Sequence, residues 1–333
     1  MLPEHRSRRP RLGVLRPIGL AALAATGVLL AMETLARLVW GFGSPPLFLP
    51  DPQIEYRLVP RQQLRRFGNR IAINAAGMRS EPLAMPRPPG HRRLLVIGDS
   101  VVWGGAQLDQ DQIATERLRQ PELEVANLGV PSWGPANQLA YLRRYGFFNA
   151  TDVVLVISSH DAADVPSSQP FKGDPDRPIH RPASALVEML NRYLIPRLGQ
   201  ALPMLPLPRP LPEWQPAGWA DPRALASLDQ LLLLLKSSGA RVAVVQHWER
   251  SEIEHQPFPA HSIIHNRIRR HQLAVVQDGP IFRSCGPLQT LFTDSIHPYT
   301  PAGQACLAEA IRRALKLANS SSSTLSSAFQ ISN

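Results

Sequence analysis

The chain has 333 residues and a hydrophobic share of 44%, which is ordinary for a globular core and excludes wholesale disorder. Its formal net charge of +10 raises the question of contact with nucleic acid or an anionic membrane. Outside a dense basic group near the N-terminus the arginines are scattered, and no stretch interleaves basic and aromatic side chains. Nucleic-acid binding is therefore not predicted.

The N-terminal segment predicts membrane insertion. An apolar run begins at Ile18, and Glu33 and Arg37 interrupt its continuation, which ends at Trp40. Extended to Trp40, the segment is long enough to cross a bilayer as a retained signal anchor. The arginines before it favour a cytoplasmic N-terminus, with the rest of the chain on the extracytoplasmic side, periplasmic or external. A cleaved signal peptide and a cytosolic apolar helix are the alternatives, but no clear small-x-small cleavage site follows the run.

From residue 93 onward, compact apolar runs alternate with helical patterns. The runs are at 94–97, 125–128, 153–158, 242–246 and 273–276. Short β-branched runs separated by helices are typical of a parallel sheet covered on both faces. The predicted fold class is α/β, a three-layer α/β/α doubly wound parallel sheet of about five strands, flavodoxin-like in kind and preceded by the transmembrane helix.

Proline-rich and serine-rich stretches complete the predicted organisation. Prolines accumulate between Val165 and Asp221 around one amphipathic helix, which indicates an insertion that is a lid, a membrane-facing cap or a passive surface excursion. The serine-rich tail has no core-forming pattern and is predicted to be disordered. The predicted segments are a basic cytoplasmic N-terminus at 1–16, the anchor at 17–40, a juxtamembrane linker at 41–68, the main domain at 69–318 with the insertion at 165–221, and the tail at 319–333.

Two cysteines, Cys285 and Cys306, fit neither a zinc site nor a disulfide-dense scaffold. Outside the cytoplasm one bridge between them is chemically permissible. Two unpaired thiols are an equal alternative, with Cys306 on the packed face of the last helix, because the sequence does not give the Cα separation that a bridge needs.

A serine and a histidine far apart in the chain predict nucleophilic catalysis. Ser100 follows a buried strand at its carboxyl end, the edge of an open α/β sheet where ligands bind. It also begins the next segment, so its backbone N–H points outward without a partner. A serine hydroxyl needs a base, and His297 supplies one just before the last helix. Asp294, three residues earlier, is able to hold Nδ1–H of His297 and leave Nε2 facing the serine.

Four blocks in this order resemble the SGNH or GDSL-type hydrolases. The blocks are Gly98–Ser100, Asn127–Pro131, Ser158–Asp161 and Asp294–His297. The upstream sequence INAAGMR is also similar to membrane-anchored members, and the resemblance extends from about Asn69 to Leu317. It implies a serine esterase or acyltransferase whose catalytic residues are Ser100, Asp294 and His297, and it implies no metal or organic cofactor.

The resemblance also implies an oxyanion hole. Its donors would be the backbone N–H groups of Ser100 and Gly129 and a third group in the block at 158–161. There His160 replaces the family's asparagine, and a neutral imidazole has one N–H to offer in its place. The alternatives are that His160 tunes a transferase-like site, marks a weakened enzyme, or is a structural histidine at a strand end.

Substrate contacts are predicted at three positions. Trp103 and Trp133 are candidates for stacking on sugar rings, and His247 for lining the cleft, with ordinary packing and a plain loop as the alternatives. His261 and His265 have a spacing that suits a metal, but no third ligand has an obvious place beside them, so no metal site is predicted.

The predicted activity is hydrolysis of O-acyl esters, with an envelope glycan or lipid as the substrate class that the location favours. The alternatives are a glycan O-acetyltransferase of the same fold and a non-catalytic carbohydrate-binding module in polysaccharide assembly. The membrane is the predicted partner through the N-terminal helix, and the sequence identifies no protein partner.

Overall fold

The computed structural model describes residues 12–167, 169–202, 204–206 and 219–330, with the backbone alone at 12–16 and 321–330. The chain divides into two units. Unit 1 is Met1–Ser44 with Pro182–Arg209, and unit 2 is Pro45–Arg181 with Pro210–Asn333. Residues 1–11 of the basic N-terminus predicted at 1–16, and residues 207–212 of the proline-rich insertion, lie outside the described residues.

Strands belong to unit 2, and helices to both units. The strands are β1 (Phe48–Asp51), β2 (Glu55–Leu58), β3 (Gln62–Arg66), β4 (Asn69–Ile73), β5 (Arg92–Gly98), β6 (Leu123–Gly129), β7 (Asp152–Ser158), β8 (Arg241–His247) and β9 (Ala274–Gln277). The helices are α1 (Leu12–Trp40), α2 (Ser100–Trp103), α3 (Pro135–Tyr145), α4 (Ala185–Met189), α5 (Ile195–Ala201), α6 (Pro222–Lys236), α7 (Arg250–Glu254), α8 (Pro259–Arg270), α9 (Gly279–Cys285), α10 (Leu288–Leu291) and α11 (Pro301–Gln330).

A five-stranded parallel sheet forms the centre of unit 2, in the order β6-β5-β7-β8-β9. If these five strands are numbered in chain order, their order across the sheet is 2-1-3-4-5. The chain first adds a strand on one side of β5 and then, from β7 onward, reverses and adds strands on its other side. In a doubly wound sheet, the carboxyl ends of strands beside such a reversal form the crevice where ligands bind. The predicted α/β fold with about five parallel strands is confirmed.

Successive side chains along each strand enter two separate cores. In β5, Leu95 and Ile97 pack on one face of the sheet with apolar residues of α3, α6 and α8. Leu94 and Val96 pack on the other face with α9 and α11. Both faces are buried because helices cover both, which explains why these strands are apolar runs rather than alternating ones.

The segment predicted as a linker is folded. β1 pairs with β2 and β3 with β4 in two antiparallel hairpins. Ile54, Tyr56 and Leu58 are completely buried in the core that also contains α3. Their spacing of two residues is the strand period, so one face of the hairpin is apolar and packs inward. Residues 45–68 are therefore part of the domain and not a juxtamembrane linker.

Unit 1 contains α1 and the helical part of the proline-rich insertion. Pro17–Trp40 within α1 is 24 residues long with a mean hydropathy of 1.8, which is enough to cross a membrane, although a signal sequence meets the same criterion. A wider helical turn at Leu190–Leu194 joins α4 to α5 without a break. These elements form one helix over residues 185–201, called here the insertion helix.

The C-terminal region differs from the sequence prediction in one respect and resolves one open question. Helix α11 continues to Gln330, into the tail predicted to be disordered, and no glycine or proline stands between Ala318 and Gln330 to end it. Cys285 and Cys306 are joined by a disulfide with a Cα–Cα distance of 6.3 Å. The bridge links the end of α9 to α11.

Candidate active site

Ser100 lies where β5 passes into α2. The strand ends at Gly98, Asp99 is the N-cap, and Ser100 is the first residue of the helix. Asp99 Oδ1 accepts a hydrogen bond from the backbone N–H of Val101 at 2.8 Å, which fixes the turn. As the first residue of a helix, Ser100 has no intrahelical acceptor for its own N–H, so that donor is available at the sheet edge.

The loop before α11 brings a base to this serine. His297 Nε2 lies 2.8 Å from Ser100 Oγ, and His297 Nδ1 lies 2.8 Å from Asp294 Oδ2. Ser100 and His297 are 197 residues apart in the chain. The structure therefore brings the three predicted catalytic residues together in the order carboxylate, imidazole, hydroxyl, the arrangement that activates a serine.

The electrostatics of the pair Asp294 and His297 favour a charged carboxylate. Burial alone would raise the pKa of Asp294, but the hydrogen bond and charge of His297, together with the backbone N–H groups of Ile296 and His297, lower the pKa below its usual value. Asp294 Oδ1 also accepts the backbone N–H groups of Ile296 at 2.8 Å and His297 at 2.7 Å. The side chains of Asp294 and His297 remain 40% and 23% exposed, so solvent and a substrate reach them.

His247, predicted to line the cleft, is instead buried behind the catalytic loop. Its Nδ1 lies 2.6 Å from Asp278 Oδ2, and its Nε2 lies 3.2 Å from the carbonyl oxygen of Ile296, the residue before His297. Burial alone would lower the pKa of His247, but the charge of Asp278 raises it. A side chain with no exposed surface cannot touch substrate, so His247 holds the position of the loop.

Tyr299 is a site residue that was not predicted from the sequence. Its hydroxyl donates to the carbonyl oxygen of Ser100 at 2.7 Å, and its ring stacks on His297 with centroids 4.6 Å apart. One side chain thus contacts both the backbone of Ser100 and the imidazole of His297. The only sequence signal is its position two residues after the histidine.

Arg79, from the INAAGMR stretch, binds the backbone that follows Ser100. Its guanidinium is completely buried and donates to the carbonyl oxygens of Trp103 at 2.9 Å, Gly105 at 2.5 Å and Leu108 at 2.8 Å. Burial lowers its pKa to about 10, so it stays charged at neutral pH. Arg79 therefore holds the end of α2 and the loop after it, a role that explains this stretch in structural terms.

His160 does not face the expected position of an oxyanion. Its Nε2 lies 2.7 Å from Asp99 Oδ2 and its Nδ1 lies 3.1 Å from Glu249 Oε1. Burial alone would lower the pKa of His160, but the hydrogen bonds with Asp99 and Glu249 raise it well above its usual value. The imidazole is thus a buried cation between two carboxylates, with both N–H groups engaged. This arrangement argues against the predicted oxyanion role.

Further acidic groups surround this cation. Burial raises the pKa of Asp161 well above its usual range and that of Asp164 to about 6, so both carry less charge than exposed carboxylates do. Asp99, His160 and Asp161 each present one metal-ligating atom within 4.8 Å of the others. Because both ring nitrogens of His160 already contact carboxylates, we interpret the group as an ion-paired network.

Gly129 has a structural reason to be glycine. A Cβ there would collide with the backbone of Val102 and Trp103, so the residue allows β6 to approach α2. Its N–H donates to Asn127 Oδ1 at 2.9 Å. Of the three predicted oxyanion donors, Ser100, Gly129 and His160, the N–H of Ser100 is thus the one without an acceptor inside the site.

The two tryptophans predicted to stack on sugar rings belong to the core. Trp133 is completely buried, and its indole N–H donates to the carbonyl oxygen of Tyr56 at 2.9 Å. Trp103 is 5% exposed and lies under the guanidinium of Arg79, 4.9 Å from the ring centroid. Packing, rather than substrate binding, accounts for both side chains.

No family model and no curated protein matches the sequence. Similar solved structures include TesA, 17% identical with a TM-score of 0.43, covering 68% of this chain and 99% of that one. The psychrotrophic esterase EstA from Pseudoalteromonas sp. is 12% identical, with a TM-score of 0.39 and coverage of 68% and 97%. The lipase/acylhydrolase from Enterococcus faecalis is 14% identical, with a TM-score of 0.39 and coverage of 67% and 94%. At so low a likeness, function has to be argued from the side chains of the site.

Proposed function

We propose that this chain is a serine ester hydrolase with Ser100 as nucleophile, His297 as general base and Asp294 as the group that orients the base. The observation that carries the proposal is the pair of 2.8 Å hydrogen bonds that connect Ser100 Oγ, the imidazole and the Asp294 carboxylate. The exposed edge of the imidazole and the sheet-edge location of the serine support it, since a substrate needs access to both.

The chemistry follows from these contacts. His297 Nε2 takes the proton of Ser100 Oγ as the oxygen attacks the ester carbonyl, and Asp294 stabilises the imidazolium that results. The N–H of Ser100 donates to the tetrahedral oxyanion. His297 then gives its proton to the departing alcohol, and the acyl group remains bound to Ser100 Oγ as the acyl-enzyme. Water, deprotonated by the same imidazole, attacks the acyl carbon, releases the acid and restores the Ser100 hydroxyl.

The proposed location is extracytoplasmic, with α1 as the anchor. The length and hydropathy of Pro17–Trp40 support an anchor, and the disulfide between Cys285 and Cys306 suits an oxidising compartment. An O-acyl ester of an envelope glycan or lipid is therefore the proposed substrate class, since the chain would meet envelope material in that compartment.

The proposal is tested with the full-length chain in detergent. We expect a fluorophosphonate probe to label Ser100, and p-nitrophenyl acetate to be hydrolysed by the native chain but not by Ser100→Ala. The matched control is Ser237→Ala, an exposed serine at the end of α6, which should keep both properties. A folded chain that neither reacts with the probe nor hydrolyses the ester would overturn the proposal. A glycan added as acyl acceptor then separates hydrolysis from transfer.

A further inference from the structure

We propose that the insertion helix, residues 185–201, lies in the headgroup region of the bilayer with its exposed apolar side chains against lipid. The occupant of this helix face would be the membrane surface itself. The inference rests on the anchoring by α1 proposed above, and it does not depend on the esterase chemistry. It explains two features left over from the sequence, the charged residues inside the apolar N-terminal segment and the amphipathic helix of the insertion.

Glu33 of α1 caps the start of the insertion helix. Its carboxylate accepts the backbone N–H groups of Ala185 at 2.8 Å and Leu186 at 3.0 Å, and the hydroxyl of Ser184 at 2.9 Å. The first N–H groups of a helix have no intrahelical acceptor and favour a negative charge nearby. A carboxylate within an apolar helix is costly unless it is paired, and these donors pair it.

A second set of contacts fastens the same junction. Arg37 donates to Glu33 Oε1 at 2.7 Å and to the carbonyl oxygen of Ala183 at 3.0 Å. The backbone N–H of Gly43 donates to Glu188 Oε2 at 2.5 Å. Gly43 has a φ of +79°, a left-handed backbone conformation in which any side chain would be strained. Both charged residues of the apolar segment are therefore used to hold the insertion helix.

The position of the junction along α1 corresponds to the depth of a bilayer interface. Glu33 precedes Trp40, the end of the candidate span, by seven residues. At a rise of about 1.5 Å per residue this places Glu33 about 10 Å below the end of the span. Amphipathic helices at membrane surfaces insert their apolar faces roughly 5–10 Å into the boundary between headgroups and acyl chains. An element attached at Glu33 therefore begins at that depth.

The exposed face of the insertion helix is apolar. Its apolar stripe consists of Val187, Leu190, Leu194 and Leu198, which are 54%, 42%, 43% and 39% exposed. Their spacings of three and four residues place them on one side of the helix. A helix that faces water shows polar residues on its exposed side, so a solvated surface does not account for this stripe.

The surroundings of the apolar stripe favour lipid over a protein partner. In the same unit, α1 exposes large apolar side chains, among them Leu35 at 50% and Leu38 at 71%. These lie in the last turns of the candidate span, on the helix that carries the junction. Arg197, exposed beside the stripe, provides a positive charge for anionic headgroups. A protein that covers the stripe is the other outcome of the test.

The test uses the full-length chain in vesicles of phosphatidylcholine and phosphatidylglycerol, with and without bromine on the acyl chains. A bimane label is attached to single cysteines introduced as Leu194→Cys on the apolar stripe, Gln200→Cys on another exposed side of the same helix, and Leu29→Cys in α1. The native cysteines are disulfide-bonded and do not compete for the label. Hydrolysis of p-nitrophenyl acetate by each variant reports a folded domain, since none of these residues belongs to the catalytic site.

We expect the labels at residues 29 and 194 to emit at shorter wavelength and to lose fluorescence in brominated lipid, while the label at residue 200 does neither. Loss of quenching at residue 29 would refute the anchor. Quenching at residue 29 without quenching at residue 194 would refute the inference, whether water or a protein covers the stripe. Quenching at residue 200 as well would also refute it, because the helix would then be surrounded by lipid. A chain without ester turnover but with the expected quenching would refute only the proposed function.

The role of Glu33 has its own test. Glu33→Gln keeps the shape of the side chain but removes its charge and one acceptor oxygen. We expect this variant to lose part of the quenching at residue 194 and none at residue 29. Unchanged quenching at both positions would show that the cap does not set the depth of the helix.

Discussion

His160 Nε2 lies 2.7 Å from Asp99 Oδ2, and Asp99 immediately precedes the nucleophile. The other oxygen of Asp99 accepts the N–H of Val101 and so fixes the start of α2. In the proposed mechanism His160 is therefore a positioning residue that acts on Ser100 through Asp99. The residue predicted to contact the oxyanion thus contacts the turn that carries Ser100, and we propose that its ion pair orients this turn.

Replacing this histidine should misplace the serine. In His160→Gln the side chain can contact Asp99 but carries no charge. We expect kcat for p-nitrophenyl acetate to fall by about 10²-fold with KM nearly unchanged. A loss of this size is the effect of moving a reacting group by about 1 Å. Steady-state kinetics measure this split. His180→Gln, at an exposed histidine, is the control. A kcat equal to that of the native chain would remove His160 from the mechanism.

The same ion pair should make stability depend on pH. The pKa of His160 is raised on folding above the usual 6.5, so its contribution to the free energy of unfolding is complete below 6.5 and is lost as the pH rises through the raised value. Burial alone would raise the pKa of Asp99, but His160 lowers it below 3.8, so the contribution of Asp99 is complete above 3.8 and is lost on acidification.

Urea unfolding of the native chain and His160→Gln should therefore differ most between pH 3.8 and 6.5, and less on either side. The measurement compares the two free energies of unfolding at about pH 5.5 and about pH 9. A difference that grows from the lower to the higher pH would contradict the assignment of a positive charge to His160.

Asp294→Asn should leave the fold intact and impair the base. An amide presents a donor as well as an acceptor to Nδ1 and no longer selects the tautomer with Nε2 facing the serine, so we expect kcat to fall by about 10²–10⁴-fold. Asp111→Asn, at an exposed aspartate, should have no effect. Comparable turnover in the two variants would show that another group orients His297.

His247→Gln should weaken the support of the catalytic loop. The change disturbs two buried partners, Asp278 and the carbonyl of Ile296, and we expect a loss of about 1–3 kcal/mol in the free energy of unfolding. Because the loop carries the base, kcat should fall while KM for a small ester changes little. A rise in KM with unchanged kcat would instead support the substrate contact predicted from the sequence.

Tyr299→Phe should separate the two contacts of this residue. The ring can still stack on His297, but the hydrogen bond to the carbonyl oxygen of Ser100 is lost, at a cost of about 1 kcal/mol. We expect a lower kcat and a fall of about 2–4 °C in melting temperature, measured by p-nitrophenyl acetate turnover and a thermal melt. In Tyr299→Leu, where the ring is also removed, the loss of kcat should be larger. Equal losses would assign the whole effect to the hydrogen bond.

The features that were predicted from the sequence are those that depend on residues close together in the chain. Each parallel strand is a short apolar run bounded by polar residues, so the five strands were predicted close to their observed positions. Ser100 is recognised from the strand that precedes it, and Asp294 from its spacing to His297. The local sequence also explains the main error in the predicted fold, the linker at 41–68. Pro50, Pro52 and Pro60 conceal the strand period of the first hairpin.

Contacts between segments far apart in the chain could not be predicted from the sequence. His160 is separated from Asp99 by 61 residues and from Glu249 by 89, and no local pattern reveals either partner. His247 is the last residue of β8 and Trp133 follows the end of β6 by four residues, but the sequence does not show whether a side chain there points to solvent or to the core. Both point inward and their polar atoms are satisfied by buried groups.

The hairpins before β5 determine where this protein can be trimmed. Tyr56 donates its hydroxyl to the carbonyl oxygen of Pro131 at 2.9 Å and receives the indole N–H of Trp133, so it shields the loop after β6. A gene fragment that starts at Asn69 would lack Tyr56 and so expose the indole of Trp133 and the loop after β6. We expect such a fragment to aggregate. A fragment that starts at Pro45 retains Tyr56 and its contacts. Limited proteolysis should therefore leave a stable core whose N-terminus lies close to Pro45.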